Sequence, residues 1–160
     1  MATNYQTYTR SQAFAGRGTI LQYSTNPPSV AYVEMSEAKT LTMGGMKYDL
    51  ADVTNFESGN FREWLPTLAD SGDLTIAGNM IPNDTTEQAL IGFFNNATLV
   101  TYQIVLPPGG NGANAFTNSE GMFQFTAYVQ SIDRSVPHDK EATITIKLKI
   151  TGPISFTEGY

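Results

Sequence analysis

The chain has 160 residues, 9 basic and 15 acidic side chains, a net charge of −6 and no cysteine. Its length suits one domain with a sizeable core, and the missing cysteines exclude disulfides and thiolate metal sites. The acidic balance argues against ordinary DNA binding, which uses clustered Lys and Arg, and the 15% charged fraction, below the usual ~25%, suits a surface that becomes interface.

Residues 1–17 are polar with scattered aromatics and read as an N-terminal arm ahead of a single domain over 18–160. The start lacks an apolar h-region, so no signal peptide is expected. No run nears the ~18 apolar residues of a span, so no membrane insertion is expected. The stretches GTILQYS (18–24) and VAYVEM (30–35) are strand candidates, split by the turn TNPPS, whose prolines cannot donate to a ladder.

Residues 36–49, SEAKTLTMGGMKYD, lack a clean period. Gly44-Gly45 suits a hairpin tip, so a long exposed hairpin loop is expected over 36–49. LADVTNF (50–56) resumes strand character. Residues 57–72 hold the only tryptophan, Trp64, beside Arg62 and Glu63, and are expected to form a contact loop. Asp70-Ser71-Gly72-Asp73 has the composition of a tight turn. DLTIAGNM (73–80) then alternates with period two, placing Leu74, Ile76, Gly78 and Met80 on one face.

One helix is expected. Asp84-Thr85-Thr86-Glu87 has capping-box spacing, Leu90, Phe93, Phe94 and Ala97 form an apolar stripe, and Asn95-Asn96 is the stop. TLVTYQIVLP (98–107) is a strand, and PPGGNGANAFTNSEG (107–121) is a surface loop. MFQFTAYVQSID (122–133) alternates, RSVPHDKEA (134–142) is a turn region, and TITIKLKI (143–150) directs Ile144, Ile146, Leu148 and Ile150 to a core. The sum is about seven strands and one helix: a mainly β chain forming an antiparallel β-sandwich or open barrel flanked by one α-helix.

The search for chemistry returns no catalytic residue, no metal site and no cofactor. His138 is the only histidine and lies in a turn, so it cannot build a two-histidine site. The carboxylates Asp49, Asp52, Glu57, Asp70 and Asp73 are dense, but those at 70 and 73 suit a turn better than an acid–base pair. PPGGNGANA lacks the Lys-Ser/Thr ending of a phosphate loop. Trp64 has two readings: packing under a loop, or an interface anchor, since Trp and Arg are enriched at interface centres.

The order of elements carries a resemblance. Asp52-Val53-Thr54-Asn55, Ser58-Gly59, Phe61-Arg62-Glu63-Trp64, the turn of Asp70, Gly72 and Asp73, Gly78-Asn79, Pro82 and Asp84 follow one another at set spacing. Leu106-Pro107, GMFQFTAYV and ITIKLKITG follow downstream. In this order the sequence, over roughly 18–156, resembles the major tail tube proteins of long-tailed, siphovirus-like bacteriophages. The resemblance implies a structural virion protein, not an enzyme, with the tail tube fold. It implies homohexameric rings stacked into a hollow tail tube, with strands from all subunits joined around the lumen. DNA would pass through without specific binding during ejection, and a tape-measure protein and a tail terminator are implied partners. The location would be the virion tail, assembled in the host cytoplasm. A lumen sharing the chain's negative sign would repel phosphates, although Lys147 and Lys149 share one strand face.

On this reading Phe61, Arg62, Glu63, Trp64, Leu65, Asp70 and Asp73 are subunit-interface candidates, with the aromatics buried against the chain's own helix or a neighbour. Lys39, Leu41, Met43, Gly44, Gly45, Met46 and Lys47 are inter-ring candidates, and deleting 39–47 is expected to leave a folded monomer that cannot elongate. Alternatives are the tube of a contractile tail or secretion system, a monomeric carbohydrate-binding β-sandwich that stacks sugars on Trp64 and tyrosines, and an enzyme with a carboxylate pair.

Overall fold

The computed structural model describes residues 16–27, 29–35, 37–107 and 121–158. Most of the expected N-terminal arm and of the 107–121 loop lies outside them. The clean alternation near the C-terminus builds two long strands, β8 (Gly121–Ser135) and β9 (Thr143–Glu158), which pair with each other along most of their length. Before them come β1 (Ile20–Ser24), β2 (Val33–Glu34), β3 (Ala38–Gly44), β4 (Lys47–Asp52), β5 (Trp64–Asp70), β6 (Asp73–Asn79), the helix α1 (Thr85–Asn95) and β7 (Val100–Val105).

Seven strands form one sheet in the order β2-β1-β7-β8-β9-β6-β3, with every pair antiparallel. The sheet is staggered. β7 pairs with Met122–Ala127 of β8 only, and β6 pairs with Thr143–Lys149 of β9 only. The β8–β9 hairpin is therefore shared by two halves, one containing β1 and β7 and the other β6 and β3. Register shifts between Gln124 and Thr126, and between Val129 and Ser131, bend the hairpin from one half into the other. The result is an open, curled half-barrel.

Alternation fixes which face each half buries. Leu21 of β1, Tyr102 and Ile104 of β7, and Phe125, Ala127 and Val129 of β8 meet Leu74 and Ile76 of β6 and Ile144, Ile146, Leu148 and Ile150 of β9. Tyr23 meets Phe93 edge-on at 5.5 Å, and Tyr102 stacks on Phe125 at 6.0 Å.

The helix closes one end of this core through Leu90, which is buried, and Phe93, which packs against it. Asp84 is its N-cap, accepting the Thr86 N–H at 3.1 Å. The reciprocal half of the expected capping box does not form. Glu87 instead accepts Arg134 Nε at 2.6 Å, tying α1 to β8. The stop at Asn95 holds, with Asn96 as C-cap. Two stripe members differ from expectation: Phe94 is exposed, and Ala97 lies past the helix in a left-handed conformation.

Several other expectations are corrected. The loop expected over 36–49 is not a loop. Residues 38–44 are β3, hydrogen-bonded to β6 at the sheet edge, and residues 47–52 are β4, paired with β5 in a separate two-stranded sheet. Deleting 39–47 would therefore strip an edge strand rather than trim a loop. Strand character ends at Asp52, not at 56, and residues 64–70 of the expected contact loop are β5. The second strand candidate, 30–35, shrinks to Val33–Glu34. The turn begins at Val136, and β9 continues through Gly152-Pro153 to Glu158. Gly152 carries φ +80, which lets the strand kink and resume.

Candidate assembly surfaces

Chain order and pairing make β3–β4 and β5–β6 one long hairpin. Its base, β3 with β6, belongs to the main sheet, and its outer part, β4 with β5, pairs among the described residues only with itself. This outer arm carries apolar side chains with no inside to face. Phe61 is 82% exposed, Trp64 50% and Leu65 55%. Met46, Tyr48, Leu50 and Leu68 are exposed as well. A two-stranded ribbon is marginal on its own in water, and a run of exposed aromatic and aliphatic groups marks an interaction surface.

The arm's tip is shaped by its polar residues. Asp52 accepts the Thr54 N–H at 2.9 Å, Asn55 accepts the Glu57 N–H at 2.7 Å, and Ser58 Oγ accepts the Asn55 N–H at 3.0 Å. These side chains do the work of turn backbone. They hold the Thr54 hydroxyl where it accepts the Glu63 N–H at 3.0 Å, and they leave Phe56 fully exposed. The Asp52 carboxyl is held below the ordinary carboxylate range by its bonds from Thr54. Among the described residues, neither Arg62 nor Glu63 has an ion-pair partner.

A compact hinge joins arm to sheet. The expected tight turn at 70–73 is present: Asp70 accepts the Gly72 N–H at 2.9 Å. Gly72 has φ +82, and a Cβ there would collide with the Gly44 carbonyl oxygen. The two connections of the hairpin thus touch backbone to backbone. Three further bonds pin the hinge to β9. The Gly72 carbonyl accepts the Ile150 N–H at 3.1 Å, Ser71 Oγ donates to the Gly152 carbonyl, and Lys149 Nζ donates to Asp70. Lys149 also lies 3.1 Å from Asp73 Oδ1, and Lys147 3.7 Å from Asp73 Oδ2. The two lysines that break the acidic pattern are locally neutralised by these carboxylates.

The stagger of the sheet leaves open edges. Beyond the hinge, the outer side of β9 over 153–158 has no strand against it among the described residues, and neither has the outer side of β3. The face of the sheet opposite the core is polar and arranged in rows. Gln22, Gln103 and Gln124 lie side by side on β1, β7 and β8, bridged by amide hydrogen bonds of 2.7 and 3.0 Å. Thr101, Thr126 and Thr151 form the next such row.

The predicted residues therefore separate. Phe61, Arg62 and Glu63 lie at the arm tip, and Trp64 and Leu65 open β5, all turned away from the chain's own core and helix. The reading of Trp64, Phe61 and Leu65 as packed on their own helix is overturned. Asp70 and Asp73 hold the hinge through Lys149. Leu41 and Met43 pack against the core from β3. Lys39 lies 3.4 Å from Glu141, Gly44 and Gly45 form the hinge, and only Met46 and Lys47 reach the arm. Sequence reasoning missed Phe56, Tyr48, Leu50 and Leu68. Their signal was present: apolar residues on both faces of a strand too polar to be buried. Among the described residues, no group of carboxylates and histidine could hold a metal.

The described residues form an antiparallel half-barrel with open edges, a projecting apolar arm and a polar face in rows. The family model described as "Lambda phage tail tube protein, TTP" matches residues 14–157, and the chain belongs to that family. It is a tube structural protein. The fold agrees with solved structures. A chain from the tail of an empty gene transfer agent particle, solved with C6 symmetry, has TM-score 0.67 at 22% identity, covering 91% of this chain and 99% of that one. The SPP1 tail tube has TM-score 0.65 at 13% identity, covering 92% and 80%. A chain from the sheath/tube terminator of an extracellular contractile injection system has TM-score 0.63 at 13% identity, covering 93% and 99%. A comparison with curated proteins found no match.

Proposed function

We propose that six copies of this chain close into a ring, that rings stack into a hollow tail tube, and that DNA passes through its lumen into the host. The observation that carries this reading is the β4–β5 arm, whose apolar side chains find no cover among the described residues. A second copy supplies that cover. A ring needs a contact between different patches of the same surface, and the two kinds of surface, arm and open sheet edge, supply unlike patches. Joining the free edge of β9 to a neighbour would also remove an aggregation hazard. The C6 symmetry with which the gene transfer agent tail was solved supports the ring size.

The polar face suits the lumen. Its glutamine and threonine rows are neutral, and its lysines are matched by Asp70 and Asp73. A ring of six copies at −6 each would repel phosphate rather than hold it. A tape-measure protein inside the tube and a terminator at its end are the further partners of this reading, and the assembled tube resides in the virion tail.

Negative-stain microscopy with mass photometry at rising concentration tests it. Rings near six times 17.4 kDa, or hollow tubes, are expected. A protein that stays monomeric even beside a preformed tail tip would overturn it.

A further inference from the structure

Among the described residues, the half-barrel is plugged at one end by α1 and open at the other. The open mouth is a groove of about 590 Å³ between the two halves of the sheet. Leu41, Met43, Leu106 and Phe123 line it with part of their surface exposed, above the buried Leu21 and Leu74. Glu34, Glu37 and Lys39 stand at its rim. Lys39 is paired with Glu141, whereas Glu34 and Glu37 face no cation among the described residues. The groove opens beside β3, one of the sheet edges with no strand against it.

We propose that the arm tip of one copy, carrying Phe56, Phe61 and Arg62, seats in this groove on the next copy. The proposal rests on the assembly reading above and names the socket it lacks. Two complementarities support it. The tip presents exposed phenylalanines, and the groove presents partly exposed apolar side chains with no cover among the described residues. The tip also presents Arg62, and the rim presents the carboxylates of Glu34 and Glu37, which an arginine fork can engage. Knob and socket lie at different places on one chain. Such a contact is heterologous, so it propagates from copy to copy as a ring or stack requires. The hinge at Gly72 fixes the direction in which the knob projects.

The absence of cysteine makes the test clean. The double variant Phe61→Cys with Met43→Cys is assembled and oxidised. A ladder of covalent multiples of 17.4 kDa on a denaturing gel is expected. It should be missing from each single variant and from Phe61→Cys with Gln130→Cys. Rings or tubes without the ladder would overturn the seating and leave the assembly reading standing. A link within one copy between Phe14→Cys and Met43→Cys would put the chain's own N-terminal segment in the groove and overturn it as well. A wild type that never assembles would sink both. Charge reversal gives an independent check. Arg62→Glu should lower assembly about tenfold or more, and adding Glu34→Arg should restore it. Failure of that rescue beside normal folding would count against Arg62 as part of the seat.

Discussion

Lys149 Nζ lies 2.9 Å from Asp70 Oδ1 and 3.1 Å from Asp70 Oδ2, so one ammonium on β9 holds both oxygens of the carboxylate that ends the arm. That contact depresses the Asp70 carboxyl below its ordinary range, with the Gly72 N–H adding to it. The same contact, with Asp73, raises Lys149. A depressed carboxyl contributes above its ordinary value of ~3.9 and loses that contribution as pH falls through its folded value. A raised lysine contributes below ~10.4 and loses it as pH rises through its folded value. The ion pair therefore contributes across the neutral range and its contribution is lost in acid below about pH 4. Amide exchange over 47–70, corrected for intrinsic rate, should rise there before the core exchanges. Lys149→Met should reproduce this at neutral pH, with trypsin cutting faster after Lys47 and Arg62. Unchanged cleavage would mean that the glycine contacts hold the arm without the ion pair.

Gly72→Ala puts a methyl group into the Gly44 carbonyl and strains a backbone at φ +82. Unfolding stability should fall by at least about 2 kcal/mol. Gly92→Ala is the control. It sits in α1 with nothing near its missing Cβ and should gain about 0.5–1 kcal/mol. Thermal melts of both variants decide the matter, and equal effects would deny the close approach at the hinge.

Tyr102 is fully buried, and its hydroxyl has no hydrogen-bond partner among the described residues. Burial pushes its ionisation above the ordinary tyrosine value, with Tyr23 adding to it. Removing an unsatisfied buried hydroxyl should help or leave stability unchanged. Tyr102→Phe is expected to gain between 0 and about 1–2 kcal/mol in denaturant unfolding, whereas Tyr102→Ala should lose about 3–5 kcal/mol by leaving a cavity. A clear loss for Tyr102→Phe would reveal a bound water or another partner at the hydroxyl.

Trp64→Ala and Phe61→Ala should separate folding from assembly. Both side chains are exposed, so monomer stability should move by no more than about 0.5 kcal/mol. The concentration needed for assembly should rise about tenfold or more, as for an anchor residue. Light scattering against concentration measures this, and variants that assemble like the wild type would remove the arm from the interface.

Much of the fold was legible from local pattern. Period-two alternation in TITIKLKI, MFQFTAYV and DLTIAGN marked strands and their buried faces, because a strand's side chains choose sides by simple parity. Asp84 and Asn96 marked the helix ends because capping is settled within a turn of chain. The turn at 70–73 was legible for the same reason.

The arm was not legible, and neither was the continuation of β9. Residues 38–44 lack a clear period because β3 lies at an edge, half covered, and its ladder slips between Ala38 and Thr40. The sequence by itself determined the class of fold, the strand faces and the helix ends. Tertiary structure alone decided that Gly44 and Gly72 meet, that Asp70 and Asp73 pair with Lys149, and that Leu41 and Met43 line a groove. Those facts depend on contacts between segments from about thirty to eighty residues apart. Such contacts follow from how the whole sheet curls, and no local spacing encodes that.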